Sequence, residues 1–400
     1  MRALYAALSG TFVLVAACAS PKIIPLPGAP ADLATLPVQL SATEITQLIP
    51  ARIAGREAWA KEIAAALRAH KIDPSAPSVC AVVAVIAQES GFHANPVVPG
   101  LAPMVKERLE EYSHTLGPLG PPIMKQFLQG RAPSTEMTFE QRLSQVETER
   151  DLDRIFRDLL SYYHHGYPSA YAVANATGSL LASTPLAALN PITTAGSMQV
   201  SVQFSEAWAR SHRVASENVR DSLYTLPGGV FYGSLRLLGY QAGYSQMLYR
   251  FADYNAGMYA SRNSALQKQL SALTKLPLDF DGDFLEYTKS GEAAGRETHS
   301  LKALHTFIRQ FPSRLTNESI RDDLNKEKSP EFEQTLTYRT LRQTYRRVIG
   351  ENPPYAQLPV IQLSSPKLKK SMSSASYAQA VNGRYGHCLK QASVAPAPHL

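Results

Sequence analysis

The 400-residue chain has few cysteines, only two tryptophans and no strong excess of either charge. Its three cysteines lack the paired spacing of a zinc site, and it contains no P-loop or dinucleotide fingerprint, so we expect neither a metal nor a cofactor. A net charge of +7, without a basic stretch interleaved with aromatic residues, argues against a nucleic-acid partner. After the first eighteen residues, no apolar run approaches membrane-spanning length, so we expect a globular body.

The N-terminus has the pattern of an export signal. Arg2 precedes an apolar stretch from Ala3 to Val15, and the stretch ends in Val-Ala-Ala-Cys at Cys18. We expect residues 1–17 to be removed as a signal peptide. Residues 15–18 (Val-Ala-Ala-Cys) resemble the lipobox of bacterial lipoproteins, and this resemblance implies that Cys18 carries the lipid anchor. An ordinary signal peptide with a nearby cysteine is the alternative.

The residue after the cysteine bears on location. Aspartate at this position retains lipoproteins in the inner membrane, so Ala19 implies an outer-membrane lipoprotein, which we expect to face the periplasm. Residues 18–40 contain five prolines and predict an extended tether between the lipid and the folded body.

The remaining chain predicts a mainly α protein, with one domain over residues 41–352 and a C-terminal tail over 353–400. Ser41 and Glu44 form a capping-box pattern, which predicts a helix start. The tail is rich in serine and lysine, and we expect it to be irregular. Predicted helices include Val105–Leu116, Phe139–His164, Tyr171–Leu181, Tyr232–Leu238, Ser245–Tyr254, Met258–Leu273, Thr298–Phe311 and Glu331–Ile349, with one strand over Met198–Phe204.

Two cysteines remain once Cys18 is lipidated. An even pair in an oxidising compartment predicts a disulfide between Cys80 and Cys388, which would fasten the tail to a central helix. The alternative is two unrelated thiols, with Cys80 simply part of the core.

A carboxylate stands in an unusual place at Glu89. Residues 79–87 are apolar on every side and predict a buried helix that ends at Ser90 or Gly91. Apolar surroundings and the negative end of the helix dipole both disfavour the charged form, so we expect a raised pKa for Glu89, as a general acid requires. A helix-end glutamate that points into water is the alternative.

Three segments, in order, resemble a known enzyme superfamily. Residues 87–92 (Ala-Gln-Glu-Ser-Gly-Phe) resemble the catalytic-helix motif of soluble lytic transglycosylases and goose-type lysozymes. Residues 196–199 (Gly-Ser-Met-Gln) resemble their Gly-Leu-Met-Gln segment, and residues 254–257 match their Tyr-Asn-Ala-Gly motif. The resemblance implies a lysozyme-like α-helical domain that acts on peptidoglycan.

The resemblance also implies roles for individual residues. Glu89 would protonate the glycosidic oxygen between N-acetylmuramic acid and N-acetylglucosamine, then act as base in forming a 1,6-anhydro product. Ser90 would hydrogen-bond near the carboxyl group, Gln199 would line the glycan cleft, and Tyr254 and Asn255 would bind from the opposite wall. A simple turn between helices is the alternative for Tyr254 and Asn255.

Two departures from the superfamily favour a second hypothesis. Ser197 replaces the usual leucine, and a helical insertion at about 97–194 separates the first two segments beside the cleft. The chain could therefore be a non-catalytic envelope protein that binds glycan or a partner protein. It also resembles a family of proteobacterial lipoproteins of unknown function. A hydrolytic muramidase is a third hypothesis, in which Glu206 or Asp253 is the second carboxylate that activates water.

Overall fold

The structure is a computed structural model, and it describes residues 39–115, 117–118, 120–168, 190–214, 219–288, 291–363 and 372–394. The predicted signal peptide, Cys18, most of the tether and the helix expected over Tyr171–Leu181 lie outside these ranges. Within them, helices dominate and strands are confined to two short antiparallel hairpins. The mainly α prediction is confirmed.

The elements follow one another along the chain with these bounds. The helices are α1 (Ala42–Leu48), α2 (Arg56–Ala69), α3 (Ala76–Glu89), α4 (Leu101–Thr115), α5 (Gly120–Leu128), α6 (Phe139–Ser144), α7 (Glu149–Gly166), α8 (Val202–Ser211), α9 (Val219–Ser222), α10 (Leu226–Leu238), α11 (Met247–Ala256), α12 (Ala260–Thr274), α13 (His299–Gln310), α14 (Asn317–Leu324), α15 (Leu336–Ile349) and α16 (Ser374–Val394). The strands are β1 (Thr194–Ala195), β2 (Val200–Ser201), β3 (Gln362–Leu363) and β4 (Met372–Ser373), and a 3₁₀ helix spans Pro330–Gln334.

Helix α3 lies at the centre of the first hydrophobic core. Every residue from Val79 to Ile86 is buried, because α2, α10 and α16 surround the helix. Alanines on α3 let these neighbours approach closely, while the valines and Ile86 fill the spaces between them. The all-round apolar sequence of α3 is therefore explained by burial on every face.

The C-terminal region differs from the irregular tail that we expected. Residues 374–394 form α16, which packs along α3 and α11. Its buried residues Tyr377, Val381, Cys388 and Ala392 recur at helical spacing. The composition of the preceding serine- and lysine-rich stretch obscured this pattern, and the prediction of an irregular tail was wrong for residues 374–394, whereas residues 353–361 form neither helix nor strand.

Two other boundaries also differ from the prediction. The helix expected over Phe139–His164 is broken before Thr148, and Thr138 and Thr148 each begin a helix with a complete capping box. The strand expected over Met198–Phe204 is limited to Val200–Ser201, because the Ser201 hydroxyl accepts the Phe204 N–H and starts α8.

Two further cores complete the molecule. Helices α4–α7, which come from the predicted insertion, share an apolar cluster with α8 and α9. Helices α12–α15 form another cluster around Leu270, Phe307 and Leu341. In the part of the chain that the structure describes, no helix is long and apolar enough to cross a bilayer.

Candidate active site at the end of helix α3

Helix α3 ends in a tight turn that presents Glu89 at the edge of the core. The Ser90 and Gly91 N–H groups both donate to Ile86 O at 3.1 Å, and Gly91 and Phe92 have positive φ angles. The Phe92 ring packs edge-on against Trp59 at 5.3 Å. A left-handed phenylalanine is strained, and such strain is frequent at functional sites. Residues 79–86 are buried, whereas Glu89 is partly exposed, as are the two residues directly before it.

The Ser90 side chain forms hydrogen bonds with the backbone at the end of α3. Its hydroxyl donates to Ile86 O at 3.3 Å and accepts the His93 N–H at the same distance. His93 Nδ1 also lies 2.8 Å from Ser90 O. Through these hydrogen bonds Ser90 caps the end of α3 and fixes the direction in which the chain leaves the helix.

The C-terminal helix brings a tyrosine to the carboxyl group. The Tyr377 hydroxyl donates a hydrogen bond to Glu89 Oε1. Burial raises the pKa of Tyr377 well above its ordinary range, and the adjacent Glu89 carboxylate raises it further. Tyr377 therefore stays protonated and acts as a donor toward Glu89.

A disulfide holds the two helices together. Cys80 on α3 and Cys388 on α16 are joined, with their Cα atoms 5.6 Å apart. Both side chains are buried in the first core. The disulfide and the Tyr377–Glu89 hydrogen bond fix α16 against α3 at two separate places along the helices.

Tyr254 of the third motif interacts electrostatically with the same carboxyl group. Burial and the Glu89 carboxylate both raise the pKa of Tyr254 well above its ordinary range, against the opposing effect of Arg236. The Tyr254 hydroxyl donates to Met198 O at 2.8 Å, which links the third motif to the second. The second and third motifs are therefore joined by a hydrogen bond, and the third motif interacts electrostatically with Glu89.

The second motif forms the turn of the β1–β2 hairpin, which packs tightly on α10. Gly196 has φ +78°, and a Cβ there would lie 1.9 Å from Leu223 O. A Cβ at Gly233 would lie 2.3 Å from Met198 Sδ. Ser197 is fully buried, and a Cβ at Gly229 would lie 2.8 Å from its Oγ. The small serine at this position therefore fits the close approach of the hairpin to α10.

Gln199 connects the hairpin to the insertion. Its backbone has φ +47°, its Nε2 donates to Glu149 Oε2 at 2.8 Å, and its Oε1 accepts from Thr194 Oγ1 at 3.0 Å. Glu149 is buried at the start of α7. The amide of the second motif is thus bonded to the first turn of an insertion helix.

Asn255 and Asp253 occupy the end of α11 with opposite exposure. Asn255 is exposed, and the following Gly257 has φ +123°, a conformation open to glycine. Asp253 is fully buried and accepts hydrogen bonds from the Tyr240 and Tyr244 hydroxyls and from two backbone N–H groups at the start of α12. The motif therefore also serves as the turn between α11 and α12.

The two carboxylates considered for a hydrolase are both engaged elsewhere. Burial raises the pKa of Asp253 despite its hydrogen bonds, and its side chain has no access to solvent. Glu206 on α8 forms an ion pair with Arg220 at 3.5 Å, and Arg220 also pairs with the buried Asp153. In the described ranges, no three acidic, histidine or cysteine side chains are grouped as metal ligands.

Sequence reasoning did not identify Tyr377. No local motif marks it, and it reaches Glu89 only because α16 folds back on α3. The pairing of Cys80 with Cys388 was the one signal that could have indicated this, since it places the C-terminal region beside α3.

Comparison with known proteins places the chain among relatives of unknown function. Residues 52–391 match the model of a family described as Protein of unknown function (DUF1615). The chain is similar to a protein of Escherichia coli (strain K12) described as "Uncharacterized protein YaiW". The two are 32% identical over 351 residues, which cover 88% of this chain and 90% of that protein. No solved structure matches the chain.

Proposed function

The chain belongs to the DUF1615 family of unknown function, and from that premise we propose that it is a lysozyme-like lytic transglycosylase of peptidoglycan. The observation that carries the proposal is the meeting of three distant segments at one carboxyl group. Glu89 ends a buried helix and accepts a hydrogen bond from Tyr377, and its carboxylate interacts electrostatically with Tyr254, whose hydroxyl donates to Met198 O. Glu89, Met198 and Tyr254 belong to the segments that resemble the superfamily, whereas Tyr377 lies outside them.

The reaction needs a proton donor that later accepts a proton. Glu89 protonates the glycosidic oxygen, and the bond from that oxygen to C1 of N-acetylmuramic acid breaks. The resulting carboxylate then removes the proton of the muramic 6-hydroxyl, whose oxygen bonds to C1 and closes the 1,6-anhydro ring. Partial exposure gives Glu89 access to the glycan, and the Tyr377 hydroxyl holds the carboxylate in one orientation.

The engagement of Asp253 and Glu206 supports ring closure over hydrolysis. An inverting hydrolase needs a second carboxylate, roughly 6.5–9.5 Å from the acid, to activate water. Asp253 is sealed in its hydrogen-bond network and Glu206 is paired with Arg220. The muramic 6-hydroxyl therefore supplies the nucleophile.

Digestion of purified sacculi tests the proposal. The wild-type protein should release soluble glycan fragments, and their masses should show that they end in 1,6-anhydro-N-acetylmuramic acid. Reducing ends would instead identify a muramidase. Sacculi that bind the protein but release no fragments would contradict the enzymatic proposal.

A non-catalytic glycan- or protein-binding role is the second candidate. It is favoured by Gln199, whose amide is bonded to Glu149 and Thr194 within the protein. In this hypothesis the insertion, through Glu149, binds the Gln199 amide that the resemblance assigns to the glycan. Binding to sacculi that is unchanged by Glu89→Gln, together with no product release, would support this candidate.

We also propose that the protein acts as an outer-membrane lipoprotein facing the periplasm, anchored through Cys18. The lipobox-like sequence before Cys18 supports this location. Radiolabelled palmitate should be incorporated into the wild-type protein in a bacterial host, and the protein should fractionate with the outer membrane. Labelling of a Cys18→Ala variant would contradict the assignment.

A further inference from the structure

An apolar groove runs along the outer side of the α3–α16 pair. Its floor includes Leu48 at the end of α1, Val83 and Ala84 on α3, and the disulfide residue Cys388. The groove volume is about 630 Å³. Small-molecule sites in proteins generally occupy about 300–1,000 Å³ and are mainly apolar, so the groove has the size and lining of a ligand site.

The rim of the groove is basic. Arg52, in the turn after α1, and Arg384 and His387, on α16, line it and are exposed. Arg384 Nε donates to Gln88 Oε1 at 3.0 Å, which directs this guanidinium across the seam between α16 and α3. Among the described residues that line the groove, none is acidic. A ligand with a negative head group complements this rim.

We propose that the groove binds an anionic phospholipid. The acyl chain lies on the apolar floor, and the phosphate contacts Arg52, Arg384 and His387. Apolar burial contributes roughly 25 cal/mol per Å² of surface removed from water, and guanidinium–phosphate contacts add charge-assisted hydrogen bonds. The site does not involve Glu89, so it is independent of the glycan-cleaving function.

Calorimetric titration of the full-length protein in a neutral detergent tests the proposal. The probe is dioctanoyl-phosphatidylglycerol, with dioctanoyl-phosphatidylcholine and glycerol phosphate as comparisons. The anionic lipid should bind at a ratio of one to one with a negative heat-capacity change. Its affinity should exceed that of both comparisons by about tenfold or more. Equal binding of phosphatidylcholine, or of glycerol phosphate alone, would overturn the proposal.

Matched variants on α16 distinguish lipid binding in the groove from uptake of the lipid by detergent micelles. The Cβ positions of Gly383 and Gly386 both face open space, but only Gly383 lines the groove. Gly383→Leu should weaken lipid binding about tenfold, while Gly386→Leu should leave it within about twofold. Arg384→Glu should likewise weaken binding more than Lys390→Glu, which changes an exposed residue away from the groove. Equal effects within either pair, with folding verified by circular dichroism, would contradict the proposal.

Discussion

Glu89 and Glu327 are tyrosine-bonded carboxylates in two different regions of the molecule. Glu89 ends α3 in the first core, is partly exposed, and accepts from Tyr377. Glu327, beside the α12–α15 core, is fully buried and accepts from Tyr287 at 2.6 Å. It also accepts the Phe284 N–H at 2.7 Å and the Leu285 N–H at 3.0 Å.

The surroundings of the two carboxylates differ in solvent access and in the groups that bind them. Glu327 binds the backbone of the 284–287 segment and is closed to any substrate. Burial raises the pKa of Glu327 to about 7, against the opposing effects of Lys328 and of its hydrogen bonds. Glu89 is partly exposed and interacts electrostatically with Tyr254, and the proposed function requires this solvent access for proton exchange with the glycan.

The same substitution at both carboxylates should have opposite consequences, and this is the largest expected effect. Glu89→Gln removes the transferable proton, so fragment release from sacculi should fall by roughly 10²–10⁴-fold while the free energy of unfolding barely changes. Glu327→Gln directs an amide N–H toward buried donors. At about pH 4.5, where the folded wild-type carboxyl is protonated, it should lower the free energy of unfolding by about 1–3 kcal/mol, and it should leave turnover by the folded protein unchanged. Parallel activity assays and urea titrations measure both quantities. A large loss of activity in Glu327→Gln would contradict a purely structural role for Glu327.

The disulfide should stabilise the region around Glu89 and not the region around Glu327. Replacing Cys80 and Cys388 together by alanine should lower the free energy of unfolding by about 2–5 kcal/mol. Amide hydrogen exchange should then accelerate in α16 and at the end of α3, but not around Glu327. Thiol titration of the denatured, unreduced wild-type protein should find no free Cys80 or Cys388. Two free thiols there would refute the pairing.

The raised pKa of Glu327 predicts a pH dependence of stability. Below its ordinary pKa of 4.5, the carboxyl is protonated in both the folded and unfolded chains. Between pH 4.5 and about 7, only the folded chain keeps the proton, so stability falls as pH rises and levels off above pH 7. The fall should be on the order of 3 kcal/mol. Glu327→Gln should lack this component, which the difference between the two urea-unfolding curves measures. A difference that does not change with pH would contradict the assignment.

Replacing Tyr377 or Tyr287 by phenylalanine removes one hydrogen bond to Glu89 or to Glu327. These two variants are closely matched, and their expected effects are the smallest. Tyr377→Phe removes the donor to Glu89 and should lower turnover roughly tenfold, equivalent to about 1.4 kcal/mol in the barrier. Tyr287→Phe removes the donor to Glu327 and should cost about 1–2 kcal/mol of stability without affecting turnover of the folded protein. Steady-state assays and thermal unfolding of both variants measure this. If Tyr377→Phe retains full turnover with an unchanged pH–rate profile, Tyr377 does not position the acid.

The sequence predicted those features that depend on local patterns. The Ser41–Glu44 capping box and the end of α3 at Ser90 both follow from short-range hydrogen bonding, and the structure has them where we expected. The mainly α class followed from apolar residues at helical spacing. These predictions needed only neighbouring residues.

Features that depend on long-range packing could not be predicted in the same way. The contact of Tyr377 with Glu89 and that of Gln199 with Glu149 join segments with no shared local pattern. Helix α16 was overlooked because its apolar positions follow a serine- and lysine-rich stretch. The tight fit of Ser197 against Gly229 likewise depends on how the hairpin meets α10.

The most direct test of the central claim is a crystal structure of the Glu89→Gln variant with a short peptidoglycan glycan chain of alternating N-acetylglucosamine and N-acetylmuramic acid. The substitution keeps the shape of the site, and in the proposed mechanism it slows turnover by roughly 10²–10⁴-fold. We expect a glycosidic oxygen within about 2.6–3.2 Å of the side chain at position 89, the distance that proton transfer requires. Tyr254 and Tyr377 should lie beside that sugar pair. A glycan bound elsewhere on the protein, with position 89 uncontacted, would contradict the role of Glu89 as the catalytic acid.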